Sequence, residues 1–344
     1  MTAVHFVMPD GTDDPARPSG GNTYDRHLCR GLASSGWSVH EHPVTGFWSG
    51  PDVTAFAALD RAVGRIPDDA VVLIDGLIAS TAPEVLVAQA SRLRLVVLVH
   101  MALCDRRERA VLSAAAAVVA TSEYSRARLL ELYALPADRV DVAAPAVDPA
   151  DLATGTATGG SLLCVANVIR NKGQDVLLDA LATVTDLPWH CACVGSLDRD
   201  PPFVEALRRR SLKGGFGHRV RFLGAQTPAD LDRAYAAADL VVLASRAETY
   251  GMVVIEALAR GLPVVASDVG GVSEALGCDA NGMRPGLLVA PEEPATLGAA
   301  LRAWLGDAEL RGQLRRAARE RRESLARWST TTSAVAGVLA GASR

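Results

Sequence analysis

The sequence lacks the cysteine spacing and the long apolar runs that mark metal-binding, disulfide-bonded and membrane-spanning proteins. Its six cysteines are scattered with no C-x-x-C pair, which argues against a zinc ribbon or a redox dithiol. No stretch reaches the about 18 consecutive apolar residues of a transmembrane helix, and the N-terminal segment has the pattern of a strand and not of a signal peptide. We therefore expect reduced thiols and a cytoplasmic protein without a membrane span.

An excess of positive charge is also missing. Acidic residues outnumber Lys and Arg by 39 to 35, for a formal net charge of −4. A surface that attracts phosphate backbones is therefore not predicted, and we expect no nucleic-acid partner. The glycine fingerprint G-x-G-x-x-G is absent as well, which argues against a nicotinamide-dependent dehydrogenase.

What the sequence has is a regular alternation of strand and helix patterns over 344 residues, 49% of them hydrophobic. A chain of this length can bury two cores, and strand–helix alternation predicts parallel sheets covered by helices on both faces. The alternation stops at residues 145–160, a small, polar, glycine-rich stretch with the composition of a linker. The sequence therefore predicts an α/β protein of two Rossmann-like, doubly wound domains, residues 1–155 and 156–325.

One strand–helix–strand unit, residues 240–268, carries the strongest functional pattern. Continuous Val/Leu runs predict two buried parallel strands, with a helix between them that starts near Gly251. Gly261 is placed to end this helix in the left-handed conformation. A helix start at the carboxyl ends of parallel strands attracts phosphate through its amides and its dipole.

Two glutamates bracket this helix start. Glu248 precedes the helix, and Glu256 lies about one and a half turns inside it. Because one turn advances about 5.4 Å, a nucleotide whose diphosphate caps residues 251–253 would present its ribose to Glu256. Glu248 would then lie beside the group that is attached to the far phosphate.

The pattern E-x7-E-A-L-A-x-G-x-P-V-V from Glu248 to Val265, with G-G-x-x-E at 270–274, closely resembles the donor-binding segment of retaining GT-B glycosyltransferases of family 4. The resemblance implies that Glu256 holds the nucleotide ribose, that Glu248 contacts the donor sugar, and that the amides between them bind the diphosphate. It also implies the GT-B fold, in which two domains face each other across a cleft. Residues 1–155 would form the acceptor side, 156–325 would bind the donor, and a C-terminal helix (326–344) would return to the first domain.

Residues 165–180 resemble the family's phosphate-binding loop, in which an arginine and a lysine neutralise the leaving diphosphate. Lys172 occupies the lysine position, whereas Asn167 stands where the family has arginine. Because asparagine carries no charge, either Arg170 substitutes for that arginine or the loop has one positive charge fewer.

Two further features resemble active-site elements of the family. Gly20 and Gly21 match a glycine turn that faces the diphosphate, and His100, at the end of an apolar strand, matches the histidine that contacts the donor sugar. The implied catalytic residues are His100, Glu248 and Lys172. The implied donor-binding residues are Gly20, Gly21, Asn167, Arg170, Lys172, Gly195, Thr249, Tyr250, Gly251, Met252, Val253 and Glu256.

Carboxylates elsewhere decide between transfer, metal binding and hydrolysis. Asp198 and Asp200 spell the D-x-D of metal-dependent glycosyltransferases, but their place after a strand favours a loop and a helix start. We therefore predict no metal and no other cofactor. No second carboxylate is identified on the rim of the first domain, which argues against a glycoside hydrolase, whose two carboxylates stand about 5–9.5 Å apart.

The predicted function is transfer of a sugar from a UDP- or GDP-linked donor to a small-molecule, glycan or natural-product acceptor, with retained anomeric configuration. Two alternatives stay open. One is a non-catalytic nucleotide-sugar-binding protein, which Asn167 would favour, and the other is an epimerase or phosphorylase of the same fold. The alanine- and arginine-rich composition points to a bacterial source.

Overall fold

The computed structural model describes residues 2–12, 14 and 19–343. They form two compact units: one runs to Ala146 and resumes at Ala326, and the other extends from Val147 to Leu325. Each unit contains one six-stranded sheet. Within the described ranges, no helix combines the length and the apolarity that crossing a membrane requires.

The first unit has a parallel sheet of order β2-β1-β3-β4-β5-β6. Its strands are β1 (Ala3–Pro9), β2 (Ser38–Val44), β3 (Val71–Asp75), β4 (Arg94–Val99), β5 (Ala117–Ala120) and β6 (Val140–Val142). Its helices are α1 (Gly20–Ser34), α2 (Val53–Gly64), α3 (Gly76–Thr81), α4 (Pro83–Gln89), α5 (Arg106–Ala114), α6 (Glu123–Tyr133) and α14 (Trp328–Ala342).

Helices cover both faces of this sheet because successive strand residues point to opposite sides. Phe6 of β1 packs in one core with Tyr24 of α1 and Val335 of α14. The next residue, Val7, belongs to the core on the other face together with Leu59 of α2. Both faces are therefore apolar, as continuous hydrophobic strands require.

The second unit has a parallel sheet of order β12-β11-β10-β7-β8-β9. Its strands are β7 (Ser161–Val165), β8 (His190–Val194), β9 (Val220–Gly224), β10 (Leu240–Leu243), β11 (Val264–Ser267) and β12 (Gly286–Val289). Its helices are α7 (Gln174–Ala182), α8 (Pro201–Lys213), α9 (Pro228–Ala236), α10 (Met252–Ala259), α11 (Val272–Leu276), α12 (Pro294–Gly306) and α13 (Ala308–Glu323).

Strand order creates one switch point in each sheet. The neighbours of β1 are β2 and β3, and those of β7 are β8 and β10, so the direction of winding reverses beside these strands. In doubly wound sheets, ligands bind at the carboxyl ends of the strands that flank such a point. The loops after β7 and β10 in the second unit, and the ends of β1, β3 and β4 in the first, are therefore where functional residues are expected.

Most of the stretch predicted as a linker is part of the second unit. The buried carboxylate of Asp239 accepts hydrogen bonds from the amides of Thr156 (2.7 Å) and Ser161 (2.9 Å) and from Arg315 Nη2 (2.7 Å). The second unit begins at Val147, and within it the amides of Ala153 and Thr154 donate to the carbonyls of Arg260 (2.9 Å) and Ala236 (3.0 Å). Composition alone could not show this, because the anchoring carboxylate lies some 80 residues along the chain. Helix α14 packs beside α1 in the first unit.

Candidate functional site

Glu248 and Lys172 meet beside the switch point of the second unit. Lys172 follows β7 and Glu248 follows β10, and Lys172 Nζ donates to Glu248 Oε1 at 2.6 Å. Ser245 Oγ donates to the same oxygen at 2.7 Å. The side chains are 25% and 12% exposed, so this ion pair is only partly screened by solvent. Two residues that the sequence singled out separately are thus direct partners.

A tight turn brings Lys172 to this position. Gly173 has a left-handed φ of +64°, and a Cβ there would lie 1.9 Å from the carbonyl oxygen of Ala244, just after β10. The Arg246 amide donates to Asn171 O at 2.8 Å and joins the two loops directly. The close approach of the turn to the end of β10 therefore requires glycine.

We expect Gly173→Ala to lower the free energy of unfolding by at least about 3 kcal/mol, from left-handed strain and from overpacking. The matched control is Gly215→Ala. Gly215 has φ +75° but open space around its Cβ position, so it should lose only the strain, about 1–2 kcal/mol. Urea unfolding of both variants measures the difference. Equal losses would contradict the close packing of the turn on β10.

Arg246 forms hydrogen bonds that connect the same loops. This residue was not identified from the sequence. Its Nη1 and Nη2 donate to the two carboxylate oxygens of Asp175 on α7 (3.0 and 2.9 Å), and its Nε donates to Glu292 (2.9 Å). Burial alone would raise the pKa of Asp175, but the hydrogen bonds from Arg246 outweigh it and lower that pKa. A bidentate pair of this kind holds the loop after β10 against the start of α7.

The segment from Glu248 to Val253 packs against a second glycine turn, at Gly271. A Cβ on Gly271 would lie 2.4 Å from Thr249 O, and the Gly271 amide donates to Glu248 O at 3.3 Å. Tyr250 is buried here, and Gly251, with φ +99°, leads into α10. Among the described residues, no side chain caps this helix start, where Met252 and Val253 form the first turn. The helix ends as predicted, with Gly261 at φ +66°.

Glu256 lies on α10 as predicted and is half-buried. Its Oε2 accepts a hydrogen bond from the Tyr235 hydroxyl of α9 at 2.7 Å. The guanidinium of Arg260, one turn further on, lies 4.4 Å above the Tyr235 ring. Burial raises the pKa of Glu256, and the hydrogen bond from Tyr235 and the charge of Arg260 reduce that rise.

Asn167 has a structural role in the loop after β7. Its Oδ1 accepts from the Ser196 amide (3.2 Å) after β8, and its carbonyl accepts from Gln174 Nε2 (3.1 Å). Gly195 permits this contact, because a Cβ on it would lie 2.0 Å from Ala166 O. Asn167 and Gly195 are therefore brought together, and the Asn167 side chain joins two loops at the carboxyl edge of the sheet.

Arg170 points away from the Lys172–Glu248 pair. Its side chain is 77% exposed, with Nε 4.0 Å from Asp200 Oδ2 and the guanidinium 5.4 Å above the Phe203 ring. Asp200 accepts from the Phe203 amide (3.1 Å) as the N-cap of α8. The predicted helix start at the D-x-D is therefore confirmed. That Arg170 replaces the missing arginine stays a prediction, and the side chain would have to leave Asp200 to do so.

In the first unit, His100 follows β4 and lies against two buried carboxylates. His100 Nε2 donates to Asp25 Oδ1 of α1 at 2.9 Å and lies 3.9 Å from Asp75 Oδ2 at the end of β3. Asp75 Oδ1 accepts from the amides of Leu77 (2.9 Å) and Ile78 (3.2 Å) and so caps α3. Asp25 is 1% exposed. No carboxylate was identified at this rim from the sequence, whereas the structure places Asp25 and Asp75 beside His100.

Burial and the charges of neighbouring groups shift the pKa values of His100 and Asp75. Burial favours the neutral imidazole, but the charge and hydrogen bond of Asp25, followed by the charge of Asp75, outweigh it and raise the pKa of His100. Burial, then the charge of Asp25, raises the pKa of Asp75 to about 6. The donor atoms of the three residues lie within 4.8 Å of one another, a spacing that a metal ion could use. Metal independence therefore stays a prediction here.

Gly20 and Gly21 open α1 beneath this histidine. Ser19 Oγ accepts from the Asn22 amide at 3.0 Å and caps the helix. A Cβ on Gly21 would lie 3.4 Å from Cδ2 of the His100 ring, so the α1 backbone passes close to the imidazole. The Tyr24 ring meets the same imidazole edge-to-face at 5.1 Å. The Tyr24 ring and the α1 backbone at Gly21 therefore pack against the His100 ring.

Sequence reasoning missed Asp25, Asp75, Ser245 and Arg246. Asp75 had a detectable signal, because it ends a strand predicted to lie in the same sheet as the one that ends in His100, and the two strands pair. Asp25 had none, since one acidic residue in an amphipathic helix is usually solvated. The bidentate contact of Arg246 depends on how α7 packs, which no local pattern reports.

Comparison with known proteins agrees with this geometry. Residues 157–321 match the family model described as Glycosyl transferases group 1, and this range contains Lys172, Glu248 and Glu256. The chain is 35% identical over 232 residues to the D-inositol 3-phosphate glycosyltransferase of Jonesia denitrificans, covering 62% of this chain and 54% of the relative. The chain spans about half the length of the curated relatives it matches.

Solved structures resemble the chain over almost its whole length. Sucrose-phosphate synthase from Thermosynechococcus elongatus has a TM-score of 0.80 at 20% identity, covering 99% of both chains. The Anabaena protein HepE, solved in complex with UDP-glucose, has a TM-score of 0.77 at 19% identity, covering 99% of this chain and 100% of HepE. This likeness confirms the predicted GT-B fold class.

Proposed function

We propose that the protein transfers a sugar from a nucleoside diphosphate sugar to an acceptor, with retained anomeric configuration and without a metal ion. The observation that carries the proposal is the Lys172–Glu248 ion pair, which lies beside the start of α10 within the range that matches the glycosyltransferase family model. A cation, a carboxylate and a helix start at one switch point suit a ligand with a diphosphate and hydroxyl groups.

The site residues of the second unit each take one part of the donor. Lys172 and the first amides of α10 take the charge of the diphosphate, and Glu256 accepts hydrogen bonds from the ribose. Glu248 accepts hydrogen bonds from hydroxyls of the sugar. Before the donor binds, Glu248 holds Lys172 Nζ at 2.6 Å, so the lysine is positioned in advance. Stabilising the departing diphosphate is the main chemical contribution of such a site.

Glu256→Ala is expected to weaken binding of the free nucleoside diphosphate by about 1.5–3 kcal/mol, the typical loss for hydrogen bonds to a charged group. Calorimetric titration with UDP and GDP measures the effect, at an alkaline pH because the pKa of Glu256 is raised. Glu205→Ala, which removes an exposed carboxylate paired with Arg209, serves as the control and should bind normally. Unchanged affinity in Glu256→Ala would remove Glu256 from the site.

In the first unit, we assign His100 to the donor sugar, where its imidazolium would stabilise negative charge that develops on the leaving group. Asp25 is a positioning residue, since it accepts the Nε2 proton and leaves Nδ1 as the nitrogen that can reach a ligand. The raised pKa of His100 supports this assignment, because it keeps the ring protonated to a higher pH.

The decisive experiment is an acceptor-and-donor screen that ends in product analysis. UDP- and GDP-linked sugars are first ranked by thermal stabilisation, and D-inositol 3-phosphate, which the names of the relatives include, is the first acceptor to assay. NMR coupling constants of the product then report the anomeric configuration. An inverted product would overturn retention, while the transferase assignment would stand.

The same assay separates the alternatives. A non-catalytic binding protein would be stabilised by the donor but would release no nucleoside diphosphate, with or without acceptor. An epimerase would convert the donor without any acceptor present. A phosphorylase would require inorganic phosphate. Each of these outcomes contradicts the proposed transfer.

Turnover is expected to stay within about twofold when EDTA is added, because Lys172 and helix amides carry the diphosphate charge. Loss of activity with EDTA and its return with Mn²⁺ would contradict this. Asp198→Asn and Asp25→Asn variants would then locate the ion, since one removes a D-x-D ligand and the other a ligand of the His100 cluster.

A further inference from the structure

Three histidines lie together on one face of the first sheet, away from His100. His5 of β1 is paired in register with His40 of β2, and His42 follows two residues later. Because side chains alternate along a strand, His40 and His42 point to the same side, and the parallel register places His5 next to both. His5 Nδ1 and His42 Nε2 share a hydrogen bond of 2.9 Å.

The rings are close to parallel and in contact. The His5 ring lies 4.8 Å from that of His40 and 5.2 Å from that of His42, with interplanar angles of 19° and 27°. Strand β2 is the edge of the sheet, His40 is exposed, and His5 and His42 are half-buried. Two of the three imidazoles are therefore fixed by packing, while the third can rotate in solvent.

The charges around the cluster favour neutral imidazoles. Burial, then the charges of His42 and His40, lowers the pKa of His5, and burial with the charge of His40 lowers that of His42. Only neutral imidazole has a lone pair for a metal ion. The lowered pKa values of His5 and His42 therefore favour the form that can bind a metal ion.

The proposed transferase activity makes no use of this cluster. His5 is level with Val72 of β3, whereas Asp75, beside His100, lies three residues further towards the carboxyl edge of the sheet. The cluster therefore lies partway along the strands and outside the edge where the switch point places ligands.

We propose that His5, His40 and His42 form a binding site for a divalent first-row transition metal ion, with zinc as the ion of choice. Histidines at i and i+2 of one strand, with a third opposite on the neighbouring strand, place three imidazoles side by side on one face of the sheet. Three histidine ligands with water in the fourth position suit tetrahedral Zn²⁺, and imidazole also suits Cu²⁺ and Ni²⁺.

Binding requires the three rings to turn so that one nitrogen of each faces the ion. With Zn–N bonds of about 2.0–2.1 Å, tetrahedral geometry separates two ligand nitrogens by about 3.3–3.4 Å. The His5–His42 pair, now 2.9 Å apart, must open by less than about half an ångström, and the ring that donates its N–H must change tautomer. The exposed His40 ring must turn from Ser38 Oγ, its present neighbour at 3.2 Å. The ion would then join the edge strand β2 to β1.

The test is titration of the full chain with Zn²⁺ against a chromophoric chelator, in the wild type and in His5→Gln, His40→Gln and His42→Gln. We expect one high-affinity ion per chain, with affinity reduced at least about tenfold in each variant. Saturating Zn²⁺ should also raise the Tm of the wild type and not that of His42→Gln, because binding to the folded state stabilises it.

Two control variants show whether the ion is at this cluster. His190→Gln removes an exposed histidine of the second unit and should bind normally. His100→Gln disables the other group of potential ligands and should also bind normally. Absence of binding, equal affinity in all variants, or loss confined to His100→Gln would each overturn the proposal. If His5→Gln does not fold, the exposed His40→Gln gives the same decision.

Discussion

Glu248→Gln is expected to lower kcat by about 10²–10³-fold while the Kd of the free nucleoside diphosphate stays the same or falls. Glutamine keeps the size of the side chain and can still accept a hydrogen bond from Ser245. It has no negative charge to form an ion pair with the Lys172 ammonium. It also accepts hydrogen bonds from sugar hydroxyls more weakly than a carboxylate does. The substitution should therefore slow the chemical step without weakening nucleotide binding.

The direction of the change in Kd follows from the ion pair. Glu248 Oε1 now takes the Lys172 ammonium at 2.6 Å. Without the carboxylate, the whole charge of Lys172 is available to the diphosphate, and a negative charge that would repel that diphosphate is gone. Lys172→Ala is the opposite case, because it leaves Glu248 without its cation, and it should weaken nucleotide binding.

Two measurements on each variant decide this prediction. Calorimetry gives the Kd of the nucleoside diphosphate, and initial rates with the true donor give kcat. Glu205→Gln, an exposed carboxylate on α8, is the matched control and should change neither quantity. If Glu248→Gln loses nucleotide binding as severely as Glu256→Ala, the assignment of Glu248 to the sugar is wrong.

Asp25→Asn is expected to lower kcat by about 10²-fold and to move the alkaline fall of activity to lower pH. Asp25 accepts the Nε2 proton of His100 at 2.9 Å and is fully buried, so it sets both the direction and the charge of the ring. A misplacement of a catalytic group by about 1 Å can cost 10²-fold in rate. Asparagine has nearly the same shape but no charge to favour the imidazolium.

The sign of the pH effect comes from the cluster itself. Burial disfavours the imidazolium, and the charges of Asp25 and Asp75 more than restore it, so the pKa of His100 is raised. Its contribution to stability is fully present below the unfolded pKa and is lost as pH rises through the folded pKa. Removing Asp25 lowers that folded pKa. The stability gap between wild type and variant should accordingly be wider at pH 6 than at pH 9.

The pKa of His100 can be followed directly by NMR of its ring carbons in both proteins. Asp60→Asn, an exposed carboxylate on α2, controls for the loss of one negative charge. A role of Asp25 in folding alone would lower the amount of active protein without moving the pH profile. An unshifted profile, with an unchanged pKa of His100, would therefore remove Asp25 from the positioning role.

The sequence by itself determined the fold class and the main partners in the second unit. Uninterrupted apolar runs such as Leu240–Leu243 favour strands that are buried on both faces, and their alternation with helices indicates parallel, doubly wound sheets. Residues that follow such strands must lie at one edge of the sheet. Lys172 and Glu248, 76 residues apart, were singled out separately by their resemblance to family motifs, and this rule is consistent with their contact.

Only the tertiary structure decided which polar groups touch. Local periodicity reports which face of an element is buried, but a hydrogen bond between α1 and the end of β4 depends on how the helix packs. Asp25 therefore appears as an ordinary helix residue in the sequence. Asn167 appears only as the position where the expected arginine is missing, although its side chain accepts a hydrogen bond from the Ser196 amide. The glycine-rich stretch at 145–160 is a further example, because its composition looks alike whether or not a carboxylate such as Asp239 anchors it. Side-chain pairing between distant segments is a property of the packed chain, and the sequence alone does not encode it in any readable local pattern.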